Sequence, residues 1–348
     1  MTLDPDRRAA LLAAKLGALV RAGWDDVAAE ARSGGFPDGA TLVEPDGGRA
    51  WVLLGADAPR RLGAALAVAQ RAAASEVHLL VDPGTDGTDG TDDGAGVLAR
   101  RASLFAVAPR TWLVRGTELA PVEAAPPAPD PAPAPEAELY RPVLEAAGLD
   151  AVVEGGHLVG ELLGLEVARV VVADDGSAHV EAGVGRFDRE VGAMMFAELA
   201  ETDALARAVE FVARHRAADA PRHPLNQLVP ERWLRSTIVA RPELVGAAEL
   251  RSVGSAIPRA NLREGGVATA IGTDLDGTPL VVTCSIGVDL ELVPGAADDR
   301  LTHRPDARLV LAVPAKDALA VTTELAGHLR SPATVVPIAE GWAGEVGA

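Results

Sequence analysis

The feature that most constrains this chain is the stretch from 121 to 137, PVEAAPPAPDPAPAPEA, which holds seven prolines. Fixed φ angles and missing N–H groups keep such a segment out of packed helices and sheets and favour an extended, semi-rigid spacer. The full chain of 348 residues is also longer than one typical domain. The expected division is therefore an N-terminal α/β module over 1–120, a Pro/Ala-rich linker over 121–137, and a C-terminal α/β region over 138–345. The last reads as two modules, 138–218 and 265–345, joined by an Arg-rich connector over 219–264.

Local signals fill in the modules. Asp4-Pro5 opens a helix as N-cap and first helical residue, and apolar residues recur at helical spacing from Leu11 to Ala28, with an expected stop near Ser33-Gly34-Gly35. Ala40 to Val43 and Trp51 to Leu54 flank Pro45-Asp46-Gly47-Gly48 and read as a hairpin. An Ala-rich helix, a buried-type strand at Glu76 to Val81, a further helix and a strand at Thr111 to Arg115 follow, in the order of a layered α/β domain. Three segments share one pattern of strand, Asp-Gly-type turn, strand and helix. They begin at Thr41, Arg169 and Thr269, and the second and third match best, with Gly185, Asp188 and Glu190 falling near Gly287, Asp289 and Glu291. The expected fold class is α/β, with duplicated hairpin-helix modules forming mixed sheets flanked by helices.

Charge narrows the partners. The formal net charge is -18, and lysine occurs only at Lys15 and Lys316. Such a charge repels nucleic acid and anionic membranes, so the expected partner is protein, with nucleic acid disfavoured and no membrane binding. One cysteine, Cys284, excludes an intrachain disulfide, and no apolar run is long enough to span a bilayer. The N-terminus lacks the apolar core of a signal peptide, so a cytoplasmic address is expected.

Chemistry concentrates after the linker. Glu161, Glu166, Glu181, Asp188 and Glu190 lie on or beside paired strands, with Arg169, Arg186 and Arg189 interleaved. Strand alternation places Glu166 and Ala168 on one face and Val167 and Arg169 on the other. Polar groups at the entrance of a buried strand must be paired, hydrated or functional. Ten arginines against five acids between Arg207 and Arg263 form a local cationic excess, in which Arg232 and Arg235 flank Trp233 as candidate anion ligands. Cys284 reads as a small buried hydrophobe, the acidic run Gly84 to Gly96 lacks calcium-loop spacing, and the seven histidines show no metal-ligand spacing.

The order helix, strand, Asp-Gly turn, strand, helix, strand resembles the core of the PD-(D/E)XK nuclease-like superfamily. The resemblance implies a restriction-endonuclease-like fold, in which carboxylates of active members hold a divalent metal that activates water. Glu181-Ala182-Gly183 falls where the (D/E)XK tripeptide would be, with Gly183 in place of its lysine, while Leu54-Gly55-Ala56 and Cys284-Ser285-Ile286 retain neither acid nor lysine. What the resemblance implies is a set of degenerate modules in a non-catalytic binding or assembly protein. One alternative is a metal-dependent hydrolase or nuclease in which Glu161, Glu166 and Glu181 hold Mg or Mn and Arg186 and Asp188 assist. The other is binding of a small anionic ligand by Arg169, Arg232 and Arg235 in or near the Arg-rich stretch. The first module shows no polar site in the sequence, so function is expected after residue 137.

Overall fold

The computed structural model describes residues 4–55, 57–83, 91–185, 201–216, 223–257, 262 and 265–344. It divides into two compact units, Met1–Pro127 with Ala320–Pro332, and Ala128–Leu319 with Ala333–Ala348.

In the first unit, α1 (Pro5–Gly23) starts on the Asp4 carboxylate, which accepts a hydrogen bond from the Asp6 N–H at 2.9 Å. It ends at extended Trp24, well before the glycines of 33–35. Those glycines belong to a strand, β1 (Arg32–Phe36), that the sequence reading placed at a helix end. A two-residue turn, Pro37-Asp38 with Asp38 at φ 51, joins it to β2 (Gly39–Val43). Gly39 is required there, because a Cβ would stand 1.9 Å from the Leu53 carbonyl oxygen. Next come β3 (Arg49–Leu54), α2 (Leu62–Arg71), β4 (Glu76–Val81), α3 (Thr91–Ala102), β5 (Arg110–Arg115) and β6 (Glu118–Pro121). The sheet order is β1-β2-β3-β4-β5-β6, with β3, β4 and β5 parallel and the other neighbours antiparallel. The inner side chains of α1, Leu16, Leu19 and Val20, pack on Ala40, Leu42, Trp51, Leu53 and Leu80.

The second unit opens with short helices α4 (Pro135–Glu138) and α5 (Arg141–Ala146). An antiparallel sheet follows, of order β10-β9-β8-β7, made from β7 (Asp150–Glu154), β8 (His157–Leu162), β9 (Leu165–Val172) and β10 (Ala178–Ala182). Helix α6 (Glu201–His215) contributes Leu205 and Val212 to the core formed with Leu158, Val167, Val170 and Val180. Then come α7 (Pro230–Ala240), β11 (Ala247–Val253), β12 (Ala268–Asp274), β13 (Pro279–Cys284), α8 (Leu292–His303), β14 (Arg308–Pro314), α9 (Ala320–Gly327) and β15 (Thr334–Ile338). The second mixed sheet runs β11-β12-β13-β14-β15, antiparallel at its first two pairings and parallel at its last two. Helix α9, which links β14 to β15 along the chain, is counted in the first unit.

The protein is thus α/β, and its repeat relates the first and third of the aligned segments. Helix, three antiparallel strands, helix, parallel strand, helix, parallel strand describes both α1 to β5 and α7 to β15. The second segment instead forms the β9-β10 hairpin of the antiparallel sheet. Among the described residues no helix is long and apolar enough to cross a membrane.

Candidate functional site

A β-bulge assembles the acids and arginines singled out in the sequence. Along β8 and β9, Gly160 pairs with Ala168 but Glu161 pairs with Glu166, which leaves Val167 as the extra residue on β9. A bulge rotates the chain beyond it, so Glu166 and Arg169 meet instead of facing opposite ways. The Arg169 Nε and Nη2 each donate to a Glu166 carboxylate oxygen at 3.0 Å. Strict alternation, the expectation from the sequence, fails at this residue.

Glu161 and Glu166 are directly opposed like charges, an arrangement that destabilises a sheet unless each is neutralised. Glu161, 1% exposed, is met by two guanidinium groups of α7: Arg232 Nη1 donates to it at 3.0 Å, and Arg235 Nη2 donates to its other oxygen. Arg232 also donates to both oxygens of Glu154, and Arg235 Nη1 donates to the Val253 carbonyl. Two backbone features bring α7 this close. Leu163 and Gly164 both have positive φ in the β8-β9 turn, and a Cβ on Gly164 would lie 2.3 Å from the Arg232 carbonyl carbon. Arg216 follows α6, is fully buried, and donates to the carbonyls of Leu163, Leu225, Leu228 and Val229 with its guanidinium 4.8 Å from the Trp233 ring centre.

Burial and pairing oppose each other in this ladder. Burial works against the Arg232 charge, but Glu161 and Glu154 overcome it and hold the guanidinium above its ordinary range. Burial likewise resists ionisation of Glu154, and Arg232 prevails, leaving that carboxyl below its usual value. Asp150 accepts from Ser236 Oγ at 3.4 Å and is pushed up by burial and then by Glu161 against the pull of Arg235, while burial lowers Arg216 to about 10. A small crevice lies beside the ladder, lined by Glu154, Glu161, Arg232, Arg235, Ser255 and Ile257 among others.

Of the other sequence candidates, Glu181 stands across from Arg169 in the β9-β10 register and has His179 Nε2 at 3.8 Å. Arg186 and Asp188 lie outside the described residues, as do Arg189 and Glu190. Among the described residues no group of three or more His, Cys, Asp or Glu side chains is placed to hold a metal ion. Cys284 is fully buried, with its thiol pushed up to about 12 by desolvation, and His303 Nε2 lies 2.7 Å from the Gly254 carbonyl.

The sequence reading missed two things. The β7-β8 hairpin turns on Gly155 and Gly156, both at positive φ, and a Gly-Gly pair between alternating apolar runs is a hairpin signal. The first unit also has a polar and aromatic cluster. Trp24, Trp51 and Trp112 surround His78, whose ring centre lies 4.7 Å from that of Trp24. Trp112 Nε1 donates to His78 Nδ1 at 3.2 Å, and Glu76 Oε1 lies 3.4 Å from Nε2. Arg49 stacks 5.1 Å from the Trp51 ring centre and donates to both Glu44 oxygens and to Asp26, which holds the Glu44 carboxyl down at about 2. These residues come from three strands, β3, β4 and β5, and from the segments that follow α1 and β2, so no local motif announces them.

No family model, curated protein or solved structure matches this chain.

Proposed function

We propose that this chain is a non-catalytic binding or assembly protein, in which degenerate nuclease-like α/β modules serve as scaffold. The observation that carries the reading is the neutralisation of the candidate carboxylates by the protein's own guanidinium groups. Glu161 is held between Arg232 and Arg235, and Glu166 is held bidentately by Arg169. A carboxylate engaged by a desolvated arginine is a poor ligand for a divalent cation, because the ion must displace a partner already satisfied by charge-assisted hydrogen bonds. The same pairing counts against capture of a small anion, since Arg232 already faces Glu154 and Glu161 and Arg235 faces Glu161.

Titration with Mg²⁺ and Mn²⁺, read by thermal shift on the wild type and on Glu181→Ala, tests this. The expected result is the same small response in both proteins. A metal-induced rise in melting temperature that vanishes in Glu181→Ala would restore the hydrolase reading. Cross-linking of the full chain to proteins, followed by mass spectrometry, tests the binding side directly.

A further inference from the structure

Outer strands invite pairing unless something blocks them, and the usual blocks are proline, charge, a bulge or a covering element. Among the described residues the three sheets have six outer strands, and five of them carry a proline, a bulge or two or more titratable side chains. Strand β6 ends in Pro121, β15 contains Pro337, and β11 has a register shift at Ala247/Glu249 beside Glu249 and Arg251. Strand β7 carries Asp150 and Glu154, and β10 carries His179 and Glu181. Strand β1 differs. Its sequence is Arg-Ser-Gly-Gly-Phe, its pairing with β2 is unbroken, and its first four residues are exposed.

The middle of β1 is bare backbone. A Cβ at Gly35 would meet nothing within 4 Å. Every second residue of an antiparallel outer strand points its N–H and C=O away from its neighbour, so β1 offers a row of main-chain donors and acceptors with no side chain guarding the centre. Glycine in a strand also leaves a gap that a cross-strand aromatic ring fills well. Arg32 at one end favours an acidic residue opposite it.

The size of the edge decides between occupants. A five-residue strand is about 17 Å long, and a strip of that length across one sheet thickness is roughly 200 Å², against the ~800 Å² per partner of a stable protein interface. A second copy of the chain joined only through β1 falls well short. A single extended peptide, held by main-chain hydrogen bonds and one or two side chains, needs no more than this edge.

We propose that β1 is a docking edge that takes an extended segment of a partner protein as an added antiparallel strand, with an aromatic residue over Gly35 and an acidic residue opposite Arg32. This deepens the binding-protein reading and rests on it.

The test uses the full chain and a fluorescein-labelled peptide, acetyl-Thr-Tyr-Val-Thr-Glu-Val-amide, followed by fluorescence anisotropy. Two controls act independently: Gly35→Lys, which guards the edge with charge, and the same peptide N-methylated at alternate amides, which cannot pair and leaves the protein untouched. The expected result is saturable binding that weakens by about tenfold or more with either control, together with hydrogen-exchange protection of the Ser33 to Phe36 amides. Absence of saturable binding at millimolar peptide overturns the proposal, as does equal affinity for the N-methylated peptide. Partners that cross-link equally to wild type and Gly35→Lys sink the β1 edge while leaving the binding-protein reading intact. If no partner cross-links and Mn²⁺ stabilises the wild type but not Glu181→Ala, the broader reading fails with it.

Discussion

His78 offers a quantitative test of how the first unit is built. Its ring is fully buried among Trp24, Trp51 and Trp112, and burial pulls its pKa from an ordinary 6.5 to about 4. The nearby charges are mixed, with Glu76 favouring the imidazolium and Arg110 and Arg49 opposing it. For a base whose folded pKa is depressed, the unfolded chain takes up the proton first. Stability is therefore complete above pH 6.5, falls as pH drops from 6.5 towards 4, and is lost no further below that. Each pH unit across that interval is worth about 1.4 kcal/mol, so the whole effect is about 3 kcal/mol, of which about 2 kcal/mol has gone by pH 5. His78→Phe keeps an aromatic ring in the box and removes the titration. It also removes the acceptor for Trp112 Nε1, at a cost of about 1 kcal/mol that does not depend on pH. Urea unfolding from pH 7.5 to 4.5, followed by tryptophan fluorescence, reads the first unit through three of the chain's five tryptophans. The quantity of interest is the difference between wild type and variant, because buried Asp299, pushed up to about 6 by desolvation, has a pH dependence of the opposite sign. Parallel stability curves for the two proteins would refute the account of a buried neutral imidazole.

Three further outcomes follow from the second unit. Glu161→Gln leaves Arg232 and Arg235 buried without their shared counter-charge and should cost about 3–5 kcal/mol in urea unfolding, whereas replacing Glu154, Glu161, Arg232 and Arg235 together by leucines should recover most of that loss. Arg216→Met removes the donors to four carbonyls, two of them in fully buried hydrogen bonds, so a fall in stability of about 3 kcal/mol is expected, with faster hydrogen exchange in the 225–229 segment. Deleting Val167 removes the bulge and turns Glu166 away from Arg169; the deletion should lower the melting temperature more than Arg169→Ala does, and the reverse order would show that the bulge is incidental.

Much of the fold is legible in the sequence where one rule acts alone. Asp4-Pro5 opens α1, Asp174 to Ser177 turns β9 into β10, and the alternation of apolar runs with turn residues gives the α/β class. Where two rules compete, the sequence misleads. Gly34 and Gly35 read as a helix stop because glycine is most often a breaker, yet α1 has already ended at Trp24 and the glycines thin out an outer strand. Val167 is an ordinary strand residue, and only the pairing with β8 reveals it as the extra one. For the candidate site, the residue types were visible but their partners were not. Arg232 and Glu161 are 71 positions apart, and their meeting depends on the close approach of α7 to Gly164. The Trp24, Trp51, His78 and Trp112 cluster is dispersed in the same way over 89 residues.

The chain's passage through α9 changes what a boundary means here. Residues 320–332 are counted with the first unit, whereas β14 before them and β15 after them belong to the second mixed sheet. The polypeptide therefore passes between the units three times, near 127, 319 and 332. A protease that cuts the Pro/Ala-rich segment leaves the amino-terminal piece with no covalent link to the rest of the chain, and the packing of residues 320–332 within their own unit, as in the bridge between Phe105 and Leu329, is then non-covalent. A gene truncated at the linker does not separate one unit from the other: the amino-terminal product lacks a helix of its own unit, and the carboxy-terminal product carries that helix without the rest of its unit.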